Sequence, residues 1–389
     1  MSAGEMTPRF TRPNRVVVKV GSSSLRGQSG DGVDHELVAS LARQLAAVRA
    51  AGSEVVLVTS GAVAAGMAAL KLDARPGDTP SLQAAASVGQ GLLMHTYNAA
   101  FAEHGLVCGQ VLLTPDDVVH RDRYLNARHT FTRLLELGAV PVVNENDTVA
   151  TDELRFGDND RLAALVASMI GADLLILLSD VEGLLDADPS VTPDAPLLER
   201  IEDFAKLGTR HFGSTGSEVG SGGMASKIEA ARIAAFSATH AVIAHARRDQ
   251  VITDVVAGAP VGSWFLPSPR RPDSRKLWIA FAPQLAGRIT VDAGAVRALV
   301  DRGSSLLAAG VVDAEGEFRP GDAVQVVGPD LTPVARGLVS YSREEVLRMR
   351  GQSSEALVRE LGPAYEREVI HRDALVVVAP AETAAGHSS

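Results

Sequence analysis

The chain has little cysteine, little lysine and no long apolar run, and each scarcity narrows what it can be. Its 389 residues include one cysteine, Cys108, so no internal disulfide can form, in keeping with a reducing compartment. Cys108 lies in an apolar stretch, LVCGQVLL, and reads as core. No run of about 18 apolar residues occurs, and the opening MSAGEMTPRFTR lacks the apolar centre of a signal peptide. A cytoplasmic protein with no membrane association is expected. The dipeptide Gly-Lys is missing, which excludes a P-loop, and no G-x-G-x-x-G opens a helix after the first strand. There is no Ser-His-Asp set and no Cys/His cluster at metal-ligand spacing, so the ten histidines read as surface or core.

Positive charge is written almost wholly as arginine. Of 37 basic residues only Lys19, Lys71, Lys206, Lys227 and Lys276 are lysine. A net charge of −10 argues against general affinity for nucleic acid or anionic membrane. In such a chain, a lysine beside a glycine-rich turn points to a need for a compact, flexible ammonium. Lys19 and Lys227 both fit that description.

The length exceeds what one hydrophobic core usually serves, so two domains are expected. Val16 to Val20 is a β-branched run interrupted by Lys19 and followed by Gly21 and three serines. Charge inside a buried strand is costly unless it is paired or faces a ligand; the other possibility is an edge strand with Lys19 turned to water. A helix follows from about Asp34 to Ala51. Glu54 to Thr59 is a second strand running into Ser60, Gly61 and Ala62, small residues that let a ligand reach backbone N–H groups at a helix start. The next helix, about Ser81 to Glu103, contains Gly89 and Gly91, poor helix formers that suggest close packing, including against a partner subunit. Strands are expected at Leu106 to Leu113 and Val140 to Val143, with a helix from Arg123 to Leu137 between them. Asp173 to Leu178 is continuously apolar, as strands buried on both faces are, and ends in Ser179 and Asp180.

The chain is organised around residues 139 to 170. There an apolar run breaks into Asn144, Glu145, Asn146 and Asp147, and a second cluster, Asp158, Asn159 and Asp160, opens an amphipathic helix. In open α/β sheets ligands sit outside the carboxyl ends of the strands, where this strand, acidic loop and helix would lie. Asp158 alone could be a simple N-cap, but capping leaves Asn144 to Asp147 unexplained. Gly213 to Gly223 (GSTGSEVGSGG) then leads through Met224, Ala225 and Ser226 to Lys227 and an alanine-rich helix. This loop is either a flexible linker or a cradle for an anion. Lys227 in a first helical turn opposes the helix dipole and calls for a negative partner, a role a nucleotide phosphate would fill. Two lysines, a glycine-rich loop and several carboxylates suit phosphoryl transfer, which needs charge stabilisation and positioning more than covalent help.

The segments VVVKVGSSS, VTSGAVAAG, VPVVNENDTVA, FGDNDRLAALVA, LLILLSDVEGL and GSGGMASKIEAA resemble the amino-acid kinase family, in the branch that phosphorylates the side-chain carboxylate of L-glutamate. RGSSLLAAGV, residues 302 to 311, resembles a PUA domain. The match runs in order through nearly the whole chain, and the NEND and GDND pair is specific to that branch. The resemblance implies an α/β fold: a three-layer αβα sandwich with a mainly parallel central sheet over 14–266. Pro267 to Arg275 (PSPRRPDSR) reads as a linker, and short expected strands beyond it, Trp278 to Phe281, Ala323 to Val327, Val334 to Ser340 and Ala374 to Val378, suggest a small, mostly β domain over 276–380, with 1–13 and 381–389 disordered; the resemblance makes that domain PUA-like. It implies ATP and Mg²⁺, the first step of proline synthesis, inhibition by L-proline, and a homo-oligomer, tetramer or dimer.

By position, the resemblance places Lys19, Gly21, Ser22, Ser179, Asp180 and the loop Ser221, Gly222, Gly223, Met224, Ala225, Ser226 and Lys227 at ATP. It places Ser60, Gly61, Asp147 and Asn159 at glutamate, and assigns no protein ligand to the metal. Lys19 and Lys227 would offset charge on the transferring phosphoryl group while Asp160 orients both. No general base is required, because the acceptor carboxylate is already ionised at neutral pH. Serine stands at 22, 179 and 226 where the family usually has threonine; each keeps a hydroxyl. Residues 276–389 hold twelve Lys/Arg against fifteen Asp/Glu, a net of −3. So acidic a module is expected to be structural or regulatory and not to bind nucleic acid. The rival readings are a sister kinase acting on acetylglutamate, aspartate or UMP, differing at Asp147 and Asn159, and a non-catalytic RNA-binding regulator.

Overall fold

The computed structural model describes residues 12–27, 32–114, 117–118, 121–149, 159–187, 192, 194–202, 204–207, 223–267, 279 and 285–378. The chain divides into two compact units, 1–271 and 272–389.

In the first unit the described elements are β1 (Arg15–Val20), α1 (Ser22–Leu25), α2 (His35–Ala50), β2 (Glu54–Val58), α3 (Ala62–Leu70), α4 (Thr79–Ala102), β3 (Cys108–Leu113) and α5 (Arg121–Glu136). They continue with β4 (Val140–Glu145), α6 (Asn159–Ile170), β5 (Leu174–Ser179), β6 (Arg200–Ile201), α7 (Met224–Phe236), β7 (His240–His245), α8 (Val251–Val256) and β8 (Ser263–Phe265). The strands form one sheet in the order β3-β4-β2-β1-β5-β7-β8-β6. All neighbours are parallel except β7 and β8.

Strand periodicity sorts the side chains into layers. Val16, Val18 and Val20 of β1 share a core with Leu41 and Leu45 of α2, Leu93 and Tyr97 of α4, and Ile252 and Val255 of α8. Alternation then puts Val17 and Lys19 on the opposite face, where α6 and α7 pack on each other and across β1, β5 and β7. Helices on both faces of a mainly parallel sheet make the three-layer sandwich.

Local chemistry explains the boundaries. Asp34 caps α2 by accepting from the Leu37 N–H, and Asp78 caps α4 through Ser81, with Pro80 in its first turn. α6 (NDRLAALVASMI) is buried almost all round, as a helix wedged between a sheet and its neighbours must be. It carries the chain from β4 past β2 and β1 to β5, so its first residues lie over the centre of the sheet's carboxyl edge.

Two expectations need correction. Gly89 is used within the chain: a Cβ on it would stand 1.8 Å from the Ala62 carbonyl oxygen, and one on Gly66 would stand 1.7 Å from that of Ala85. The two glycines therefore let α3 and α4 touch backbone to backbone, whereas Gly91 faces open space. Cys108 is only half-buried and packs at the margin of the core. Burial still pushes its thiol up to about 12.

The second unit has a five-stranded sheet in the order β10 (Val311–Gly316), β9 (Gly287–Val291), β11 (Ala323–Val327), β12 (Pro333–Leu338) and β13 (Leu375–Val377). β9 and β11 are parallel and the other pairs antiparallel. Helices Ala293–Arg302, Arg343–Met349 and Ser354–Leu361 bury Leu299, Met349 and Leu357 against Ile289, Val324 and Val326. A capping box, Ser342 with Glu345, starts the second of these helices. The expected strand at Trp278 to Phe281 lies outside the described residues except for Ile279. β9 and β10 went unforeseen because charged residues interrupt their apolar pattern.

Candidate functional site

β1 is a central strand, hydrogen-bonded on both sides, with Lys19 paired in register to Val58 of β2 and Leu177 of β5. That removes the edge-strand alternative: Lys19 is 2% exposed. A buried ammonium needs negative partners, and α6 supplies one. Lys19 Nζ lies 2.5 Å from Asp160 Oδ1, and Asp160 is fully buried.

Lys227 reaches the same carboxylate from the first turn of α7, its Nζ donating to Asp160 Oδ2 at 3.0 Å. Ser226 Oγ lies 3.1 Å from that oxygen and donates to the Gly223 carbonyl at 2.8 Å. Two ammonium groups from opposite ends of the unit's sequence thus meet at one carboxylate. Gly223, at the N-cap of α7, is extended and supplies no side-chain cap, so the helix start presents backbone N–H groups of the kind that receive phosphate. Gly21 adjoins the Lys19 ammonium, with the position of its missing Cβ 3.5 Å from Nζ.

The residue before Asp160 faces the other way. Asn159 Nδ2 lies 2.6 Å from the Thr59 carbonyl oxygen, 2.7 Å from Asn144 Oδ1 and 2.9 Å from Ser60 Oγ, so its two protons serve three acceptors, one of them shared. Asn144, the last residue but one of β4, in turn donates from Nδ2 to Gln90 Oε1 at 2.8 Å. Thr59 is held from behind by the Tyr97 hydroxyl, 2.8 Å from its Oγ1. Burial raises the Tyr97 phenol well above its ordinary range, so that hydroxyl stays neutral. Ser60 is half-buried and Gly61, in the left-handed conformation at φ 98°, turns the chain into α3. Two adjacent residues at the start of α6 therefore divide the edge: Asp160 gathers the lysines, and Asn159 gathers the ends of β2 and β4.

Asp147 is half-buried in the turn after β4, Ser22 is exposed at the start of α1, and Met224 and Ala225 occupy the first turn of α7. Ser179 ends β5 and its Oγ lies 3.1 Å from Oδ1 of the exposed Asp180. Asp158, Ser221 and Gly222 lie outside the described residues.

The sequence of the first unit matches the amino acid kinase family over residues 14–245. The chain belongs to the amino acid kinase family. Residues 287–361 match the PUA domain. A glutamate 5-kinase of Salinispora arenicola is 51% identical over 374 residues, covering 96% of this chain and 100% of the relative. One from Thermobifida fusca is 49% identical over 377 residues, covering 96% of each chain. One from Caldanaerobacter subterraneus is 46% identical over 372 residues, covering 96% of this chain and all of the relative.

Within this amino acid kinase fold, sequence reasoning had not singled out Thr59, Gln90 or Tyr97 as part of the site. A signal for Gln90 was present: it is an amide held between two glycines in an alanine-rich stretch (AAASVGQGLL).

Proposed function

We propose that this kinase transfers the γ-phosphoryl group of ATP to the side-chain carboxylate of L-glutamate, giving L-glutamyl 5-phosphate, the first step of proline synthesis. The observation that carries the reading is the junction at Asn159 and Asp160. On one side, Lys19, Lys227 and the start of α7 form a cationic, donor-rich place for a polyphosphate. On the other, Ser60, Gly61, Asp147 and Asn159 gather at the ends of β2 and β4 and the start of α6, supplying hydroxyl, amide and carboxylate groups suited to an amino acid.

Phosphoryl transfer depends on holding donor and acceptor in line while charge spreads over the phosphoryl oxygens. Lys19 and Lys227 offset that charge, and Asp160 keeps their ammonium groups in one place. Gly21, Ser22, Gly223, Met224, Ala225 and Ser226 serve the nucleotide phosphates; Ser179 and Asp180, at the end of β5, serve the base and ribose. A glutamate side-chain carboxyl ordinarily titrates at about pH 4.3, so it needs no base to become a nucleophile at pH 7. No group of three or more His, Cys, Asp or Glu among the described residues could hold a metal ion, so Mg²⁺ would be held chiefly by the nucleotide's phosphate oxygens and water. When bound, Mg²⁺ supplies charge neutralisation on the polyphosphate.

A coupled ADP-release assay with ATP, Mg²⁺ and L-glutamate, N-acetylglutamate, L-aspartate or UMP tests the reading. Turnover is expected with L-glutamate; turnover with a sister substrate and none with glutamate overturns it. Lys227→Ala should lower kcat by about 100-fold, the scale of losing one charge-stabilising donor, and an unchanged kcat removes Lys227 from the mechanism.

The same reading includes feedback inhibition by L-proline, a dimer or tetramer, and a cytoplasmic location. Val88 and Leu92, one helical turn apart on α4, are 40% and 45% exposed, which favours a partner subunit there. No described helix is long and apolar enough to cross a membrane. The acidic second unit serves a structural or regulatory role, and tight, salt-sensitive RNA binding by the full chain would contradict that. A proline titration of turnover and sedimentation velocity test the rest.

A further inference from the structure

We propose that Gln90, on α4 and away from both substrates, is a positioning residue that sets the glutamate pocket through a chain of buried amides ending at Ser60. The proposal rests on the glutamate-kinase reading and deepens it.

Backbone groups fix the polarity of the chain. The Glu145 N–H donates to the side chain of Asn144 at 2.9 Å, so the atom facing it is Asn144 Oδ1. The Thr59 carbonyl accepts from Asn159, so the atom facing it is Asn159 Nδ2. With Oδ1 committed to Glu145 and to Asn159, Asn144 must turn its Nδ2 toward α4, where Gln90 Oε1 accepts. The order is Gln90 carbonyl, Asn144 amide, Asn159 amide, Ser60 hydroxyl. Because Ser60 Oγ accepts from Asn159, its own proton is directed elsewhere, free to donate to an anionic acceptor such as a substrate carboxylate.

Gln90 is held at the height required. Its neighbour Gly89 rests directly on the backbone of α3, the helix that begins just after Ser60 and Gly61, and any side chain at Gly89 would separate the two. Gln90 is 8% exposed, and its Nε2 is buried without a hydrogen-bond partner among the described residues. Leaving a donor unsatisfied costs stability. A glutamine is a poor choice for packing here, and its benefit lies in the one acceptor it offers Asn144. Removing that acceptor leaves the Asn144 amide buried and unsatisfied at one end, frees it to rotate, and loosens Asn159 and Ser60 in turn.

The test uses full-length Gln90→Met, which keeps volume and loses the acceptor, and Gln90→Glu, which keeps an acceptor oxygen. The wild type is assayed alongside with L-glutamate and ATP. Gln90→Met should raise KM for glutamate about tenfold, the effect of roughly 1.4 kcal/mol, with KM for ATP within about twofold of wild type. Gln90→Glu should recover part of that loss. Combining Gln90→Met with Asn144→Ala should give the KM of Asn144→Ala alone, since the glutamine acts through that asparagine. Additive effects on KM, or equal rises in both KM values, overturn the proposal. So does a variant with lowered melting temperature and unchanged KM for glutamate. A wild type with no glutamate turnover would sink the functional reading and this proposal together, whereas glutamate turnover with an insensitive Gln90→Met sinks the proposal alone.

Discussion

Asp160→Asn is the most informative single change in the first unit. The carboxylate is fully buried and holds Lys19 at 2.5 Å and Lys227 at 3.0 Å, lysines that are themselves 2% and 7% exposed. Deleting one partner of a buried pair costs roughly 3–5 kcal/mol, because the remaining charge stays out of water. Two ammonium groups lose their shared anion here, which pushes toward the upper end. The introduced amide keeps one oxygen that can accept from one of them, which pulls back. A loss of about 3 kcal/mol follows, a large share of the roughly 5–15 kcal/mol that holds a typical domain together. Turnover should fall about 100-fold or more, since both phosphate-facing cations lose their placement. Urea titration followed by circular dichroism measures the first quantity and coupled ADP release the second. A stability loss under about 1 kcal/mol together with kcat within about threefold of wild type would show that Asp160 does not organise the lysines.

Gly89→Ala should lower the melting temperature by at least about 4 °C, because its methyl would stand 1.8 Å from the Ala62 carbonyl oxygen and force α3 and α4 apart. Calorimetry showing no change would deny the close crossing. With its thiol pushed up to about 12 by burial, Cys108 should hold a thiolate fraction of roughly 1 in 10,000 at pH 8 and alkylate far more slowly than a free cysteine. Because the folded value lies above the ordinary thiol value of 9.0, the thiol favours folding up to about pH 9 and loses that contribution as pH rises toward about 12. Rapid iodoacetamide labelling of the native protein at pH 8 would contradict this.

The local parts of the site were legible because local rules write them. A lysine inside a β-branched run, a polar break after Val143, an acidic start to an amphipathic helix and a lysine in a first helical turn each violate a propensity, and such violations mark sites. Asn159 and Asp160 are neighbours at a helix start, which gives neighbours different directions, but their division between glutamate and the lysines came from the family resemblance and not from the pattern. Gln90 and Tyr97 were hidden for the opposite reason. They belong to α4, far along the chain from β2 and β4, and their partners depend on where that helix crosses the sheet.

That Lys19 and Lys227 close on one carboxylate was decided by strand order: β1 lies between β2 and β5, and α6 must cross it. Gly89 shows the same limit, since its sequence advertises close packing without saying whether the neighbour is another subunit or α3. The sequence by itself determined the main strands and helices of the first unit and which residues break their periodicity, since period and propensity act over a few residues; it missed β9 and β10, whose charged residues blur that period. Only the tertiary structure decided which of those exceptions meet, because contacts between distant segments follow from how the sheet is ordered and how backbones approach.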